Sequence, residues 1–290
     1  MAATTLTGVV RATRPRQWVK NVLVLAAPLA AGKLFERDVL VAALLAAVAF
    51  CLAACAIYLV NDVLDLAEDR RHPVKQHRPI AAGHVSPRAA VLLAAVSGGA
   101  GLVLGFAIRP QLGVTLVVYV VLQVAYSWGL KHQPVLDLAC VAAGFLLRAV
   151  AGGTATGLPL SQWFLLVASF GSLFMVSGKR YSEMRAVGAD AGTRPSLLRY
   201  TTTYLRFVWG LSTAITLMTY SLWAFEMSPG TGVPWHAISI APFVLSVLRY
   251  AVHVDAGEAG EPEDIVLHDR VLQGLAAIWL ALVCAGVFGA

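Results

Sequence analysis

Polar positions are so sparse along most of this chain that neither a helical stripe nor a strand alternation can be drawn. Long apolar stretches are instead interrupted by short, highly charged ones. Apolar runs near 17–35, 38–60, 88–108, 111–129, 134–153, 160–178, 204–226, 234–252 and 270–289 each approach the roughly 20 residues that carry a helix across a bilayer. The pattern predicts an all-α, polytopic membrane protein of about nine spans, residues 1–290 forming a single integral membrane domain. The first and fifth runs are the least apolar of the set.

Composition sharpens this picture. Of 290 residues, 58% are hydrophobic and 13% charged, against about a quarter charged in soluble domains, which excludes an ordinary soluble fold. Arg11, Arg14, Arg16 and Lys20 precede the first apolar run and no small-residue cleavage site follows, so that run is expected to stay as a helix rather than act as a signal. With the N-terminus on the cytoplasmic side, most Lys and Arg fall in cytoplasmic loops, and Lys33, Arg37 and Arg109 fall opposite. The positive-inside rule therefore predicts a multi-pass protein with N-terminus in and C-terminus out; the expected location is the plasma (inner) membrane. The four cysteines, Cys51, Cys55, Cys140 and Cys284, lie inside apolar runs without metal-ligand spacing and read as small buried hydrophobes. Part of the net charge of +6 answers to anionic lipid head groups.

Chemistry concentrates in two loops, 61–87 and 179–203. The first begins in YLVNDVLDLAEDRRHPVKQHRPIAAG, residues 58–83, with four carboxylates and six Lys, Arg or His. Asn61, Asp62, Asp65 and Asp69 share one face if the second helix continues through them. Like charges gathered so closely call for a cation, and oxygen-only donors suit Mg²⁺ shared with a substrate phosphate, Mn²⁺ being possible. The plainer alternative is a solvated helix end paired with Arg70, Arg71 and Lys75. Pro73 stops the helix, and Lys75, His77 and Arg78 follow as phosphate donors. His72, His77 and His84 have spacings that do not share a helical face.

The second loop, SGKRYSEMRAVGADAGTRPSLLRYTTTYLRF, is basic, with only Glu183 and Asp190 acidic. Arg194, Arg199 and Arg206 read as topology determinants, whereas Lys179, Arg180 and Tyr181 stand at the membrane edge as candidates for binding a phosphate monoester directly. Arg148 lies within the fifth apolar run, where a charge must face the bundle interior or an aqueous cavity.

The motif NDVLDLAED followed by HRPIAAGHVS resembles the first signature of the UbiA-type intramembrane prenyltransferase superfamily, and RPRQWVKN, AYSWGLKH and DLACVAAGFLLRAVAGG agree with it in order. That resemblance implies a helical bundle with a lipid-open cavity and Mg²⁺ held between Asp62, Asp65 and Asp69 and a diphosphate. The second aspartate motif, DxxxD, is replaced here by cations. With GKRYSE, YTTTYLRFVWGLSTA and PEDIVLHDRVLQ, the chain is similar to the actinobacterial branch that transfers 5-phosphoribose from phosphoribosyl pyrophosphate to decaprenyl phosphate or another polyprenyl phosphate, for cell-wall arabinan precursors.

On that resemblance Asn61 joins the metal site, Arg78 and Lys131 stabilise departing pyrophosphate, and Lys179 and Arg180 with Lys20 or Arg16 meet the acceptor phosphate. Tyr126 either contacts a phosphate or anchors the interface, and Asp264 or Asp269 binds a ribose hydroxyl. Two other readings stay open: transfer of a prenyl group to an aromatic quinone precursor, which the missing DxxxD weakens, and a transporter, for which no inverted repeat is visible. No nucleotide loop, zinc signature or nucleic-acid-binding pattern is present. The partners implied are the two substrates and the bilayer, with homo-oligomerisation possible.

Overall fold

The computed structural model describes residues 5–187, 199–228 and 232–288. Asp190 and Arg194 of the second charged loop lie outside the described residues. The helices are α1 (Leu6–Ala12), α2 (Ala26–Ala30), α3 (Arg37–Leu64), α4 (Leu66–Asp69), α5 (Pro87–Ile108), α6 (Pro110–Trp128), α7 (Leu136–Thr156), α8 (Gln162–Val187), α9 (Thr202–Glu226), α10 (Trp235–Ala256), α11 (Pro262–His268) and α12 (Arg270–Phe288). Among them α3, α5, α6, α7, α10 and α12 are long and apolar enough to cross a membrane. Helices also form over the expected spans near 160–178 and 204–226, as α8 and α9. These are less apolar, and Ser169, Ser172 and Ser177 on α8, with Ser212 and Thr216 on α9, bond back to the carbonyl four residues earlier at 2.5–2.8 Å.

The expected first span, 17–35, is not a regular α-helix. Pro15–Leu25 is a 3-10 segment, followed by the short α2. Pro15 starts the tighter coil, and Pro28 inside α2 supplies no backbone donor. At about 2.0 Å per residue, a 3-10 coil covers more distance per residue than an α-helix. The segment runs antiparallel to α3: Cys55 Sγ reaches the Thr13 carbonyl at 3.5 Å, and Asn21 Nδ2 reaches Cys51 Sγ at 3.0 Å.

The chain sorts into two compact units, one of residues 1–29, 33–128 and 147–159, the other of 30–32, 129–146 and 160–290, so that α7 contributes its end to the first and its start to the second. In the first unit α3 packs along α5 through small residues. Ala46, Ala49 and Ala53 are fully buried, and a Cβ on Gly101 would lie 2.9 Å from the Ala49 carbonyl oxygen. Between helices in lipid, where apolar burial gives no net drive, this close backbone approach is what maximises dispersion contact. Phe50, Leu112, Leu116, Tyr119 and Ala151 complete this core. Ser86 caps α5 by accepting from the Ala89 N–H at 3.2 Å, with Pro87 at the first helical position.

In the second unit Phe174, Trp209 and Tyr181 form a stack with centroid separations of 6.2 and 5.8 Å. Leu138, Leu205, Tyr250, Val254 and Leu272 pack around it. The outer apolar surfaces suit lipid: in the most apolar stretches of α5 and α12 only 17% and 11% of residues are buried.

Candidate active site

α3 does not continue through the motif. It ends at Leu64, Asp65 adopts a non-helical conformation, and a single turn, α4, carries Asp69. This break corrects the expectation of one continuous face, yet it still brings Asp62 and Asp69 together. Both are buried, at 2% and 1% exposure, and a single guanidinium nitrogen, Arg78 Nη1, lies 3.2 Å from Asp62 Oδ1 and 2.7 Å from Asp69 Oδ2. Arg14 forms a second ion pair with Asp62 and lies over the Tyr58 ring at 5.0 Å. Two carboxylates removed from water are thus balanced by two guanidiniums, the condition under which buried charge is tolerated. Asn61 accepts a hydrogen bond from Ser127 at the end of α6.

The loop that presents Arg78 is closed by backbone bonds. His84 N–H reaches the Pro79 carbonyl at 2.8 Å and Ala82 N–H the Arg78 carbonyl at 2.8 Å, while Gly83 takes the left-handed conformation at φ 80° that a side chain would strain. Ile80 and Val85 anchor the loop in a core with Leu59, Ala90 and Ala94. Asp65, at the C-terminal end of α3, is half-buried. Among the described residues no three His, Cys, Asp or Glu side chains gather as a ready metal cluster, so the expected trio does not converge. The donors nonetheless fit a divalent cation shared with a phosphate: Asp62 and Asp69 are oxygen donors that already hold one cationic atom between them.

Lys20 and Tyr126 are half-buried in the same unit, on the 3-10 segment and the last turn of α6. Arg148 has internal partners: Nε donates to Asn21 Oδ1 at 2.8 Å and Nη2 to the Tyr119 hydroxyl at 2.9 Å. It ties the 3-10 segment to α6 and α7, a packing role that the expectation of substrate binding did not include.

In the second unit Lys131 sits in the 3-10 turn Leu130–His132. Arg180 is only 2% exposed, and its fork is filled by Asp137, itself fully buried, at 3.1 and 3.3 Å. Arg180 Nη1 also reaches Glu183 at 3.2 Å, and Lys179 Nζ lies 3.8 Å from the same carboxylate. The expectation that Arg180 meets a phosphate directly is therefore corrected: its donors are committed inside the protein. Tyr181 likewise serves packing, its ring on Trp209 and its hydroxyl donating to Asp255 at 3.1 Å.

Asp264 and Asp269 line a cleft of about 590 Å³ with Arg249, His253, His268 and Arg270. Asp269 caps α12, accepting from the N–H groups of Val271 and Leu272 at 2.9 and 3.0 Å, while its other oxygen meets Arg249 at 2.7 Å and His253 at 2.8 Å. The His253 hydrogen bond, the Leu272 N–H and Arg249 together hold its carboxyl well below the usual carboxylate range. With about four acceptor positions on a carboxylate, Asp269 has none left over for a ribose hydroxyl.

Arg14, Ser127, Asp137, Arg249 and His253 escaped the sequence reading. Signals pointed to two of these five: the Arg14–Pro15 dipeptide repeats the Arg78–Pro79 one, and Asp137 is a lone acid entering an apolar run.

Comparison with known proteins agrees with this architecture. The sequence profile of the UbiA prenyltransferase family matches residues 22–268. A decaprenyl-phosphate phosphoribosyltransferase of Mycobacterium tuberculosis is 53% identical over 290 residues, covering 98% of this chain and 96% of its own. One of Corynebacterium glutamicum is 48% identical over 292 residues, covering 97% and 87%. Among solved structures, a UbiA homolog from Archaeoglobus fulgidus bound to GPP and Mg²⁺ superposes with a TM-score of 0.72 at 18% identity, covering 97% of this chain and 98% of that one. With the helical architecture, the broken aspartate motif and the family match over most of its length in agreement, the chain belongs to the UbiA prenyltransferase family.

Proposed function

We propose that this chain transfers 5-phosphoribose from phosphoribosyl pyrophosphate to a polyprenyl phosphate and releases pyrophosphate. The observation that carries the reading is 48–53% identity, over 97–98% of the chain, to relatives named decaprenyl-phosphate phosphoribosyltransferase. Asp62 and Asp69 would hold Mg²⁺ or Mn²⁺, with Asn61 and Asp65 of the same motif as further candidate ligands. Bound there, the cation would offset charge that grows on the departing pyrophosphate.

Arg78 donates to the pyrophosphate oxygens, so the C1–O bond can break as the sugar gains oxocarbenium character. The acceptor phosphate is already anionic near neutral pH and attacks C1 without a general base. Its approach to a second phosphate is opposed by Coulomb repulsion, which a lysine at the site, Lys20 being the candidate in the first unit, reduces. Arg180 acts through position: pinned to Asp137, it holds the turn of α8 that carries Lys179. Asp264 remains the candidate for the ribose, and Tyr126 for a phosphate contact. The reaction is placed on the cytoplasmic face of the plasma membrane, with the N-terminus on that side.

The test supplies membranes containing the protein with phosphoribosyl pyrophosphate labelled in the ribose, plus polyprenyl phosphate and Mg²⁺. Label is expected in the organic-soluble lipid fraction, dependent on both the acceptor and the metal. Label that stays in the aqueous phase, while a labelled prenyl diphosphate is consumed with an aromatic acceptor, would replace this reading with prenyl transfer.

A further inference from the structure

We propose that Arg14 and Arg78 are exchangeable counter-ions of the carboxylate pair, held by Asp62 and Asp69 in the absence of substrate and handed to the oxygens of a diphosphate when a divalent cation takes their place. The inference rests on the reading above only in requiring a cation and a diphosphate at this site. Position comes first. Arg78 Nη1 sits between the two carboxylates, 2.7 Å from one and 3.2 Å from the other, which is where a shared cation would bind. A guanidinium and a dication cannot occupy that point together, so one must displace the other.

Charge sets the order of events. The pair and its two arginines are neutral as a group, so a dication alone leaves surplus positive charge, and a diphosphate alone leaves surplus negative charge. The two together leave less imbalance than either alone, because each cancels part of the other's charge, and buried imbalance is what the low local dielectric penalises most.

Exposure shows which partners can move. The Asp62 and Asp69 side chains are each 2% exposed, whereas those of Arg14 and Arg78 are both 29% exposed. The carboxylates are fixed and the guanidiniums lie on the accessible side. Each arginine also precedes a proline, Pro15 or Pro79, and stands at a break between elements. Arg14 is in the left-handed region at φ 53° at the start of the 3-10 segment, and Arg78 is extended after Lys75–His77. The ring of Pro79 favours the extended backbone that Arg78 adopts, while Arg14 keeps its left-handed backbone at the break before Pro15; in both the long side chain is the part that can change partner. Metal and diphosphate affinities are then coupled, and by linkage each raises the other.

The experiment measures Mn²⁺ binding to the full-length chain in lipid nanodiscs by electron paramagnetic resonance, with and without inorganic pyrophosphate. The wild type is expected to bind Mn²⁺ weakly alone and far more tightly with pyrophosphate. Arg14→Gln and Arg78→Gln should each bind Mn²⁺ alone roughly tenfold more tightly than the wild type, the scale of one charge-assisted contact removed from competition, and should lose most of the gain from pyrophosphate. Folded variants that bind Mn²⁺ alone no better than the wild type would overturn the proposal. If the glutamine variants fail to fold, Arg78→Lys keeps the charge but not the bridging nitrogen. It should still bind Mn²⁺ alone several-fold more tightly, and unchanged binding there overturns the proposal as well. Inorganic pyrophosphate is common to any diphosphate donor, so this outcome stands or falls separately from the label-transfer test.

Discussion

A carboxylate taken out of water keeps its charge only with a cation or strong donors beside it, and Asp62, Asp69 and Asp137 each have arginine there. For Asp137 the fork of Arg180 is the partner, so Asp137→Asn leaves a buried guanidinium without its main counter-charge. Stability should fall by about 3–5 kcal/mol, the usual cost of removing one partner of a buried pair, measured as a lower Tm in detergent; an unchanged Tm would mean that Glu183 alone suffices. Asp269 gives a pH dependence. Its folded-state carboxyl is held low, so its contribution is fully present above the unfolded value, about 3.9, and is lost as pH falls below that toward the folded value. Thermal scans should therefore show the wild type losing more Tm below about pH 4 than Asp269→Asn does; parallel curves would deny Asp269 this role. The sequence made Asp62, Asp69 and Arg78 legible because a motif dense in charge at the end of an apolar run stands out. It hid the commitments of Arg180 and Asp269, whose partners Asp137 and Arg249 are distant along the chain and lie in otherwise unremarkable stretches.

At the scale of elements, helices were legible wherever apolar runs were long, and α3, α5, α6, α7, α10 and α12 fall within a few residues of the expected ranges. The 17–35 run misled because hydropathy reports what a segment can be buried in and not how it coils. Pro15 and Pro28 carried the missing information. The break at Asp65 was hidden for a related reason, since nothing in NDVLDLAED forbids a continuous helix. The α3–α5 contact yields a paired prediction. Gly101→Val must push a side chain against the Ala49 carbonyl, whereas Gly99 has nothing within 4 Å of a built Cβ. Overpacking should cost Gly101→Val about 1–3 kcal/mol, and Gly99→Ala should leave Tm unchanged or raised. Equal effects from the two would show that α3 and α5 do not approach so closely in the bilayer.

For the whole molecule, the arrangement across the membrane is the prediction with most reach. In a background without native cysteines, Glu68→Cys should react with a membrane-impermeant reagent from the cytoplasmic side and Lys33→Cys only from the opposite side, as the distribution of Lys and Arg requires. Both positions are exposed, so labelling of both from one side would overturn the orientation and not merely reflect burial. The buried pair of Asp137 and Arg180 has a consequence for descent. A lineage that changes either residue alone passes through a chain with an unmatched charge in its interior, so the two positions should be inherited as a block. Homologues that lose the acid at 137 should also have lost the guanidinium at 180, and a survey finding Arg180 kept without that acid would show that another anion, Glu183 being at hand, or water takes up the slack.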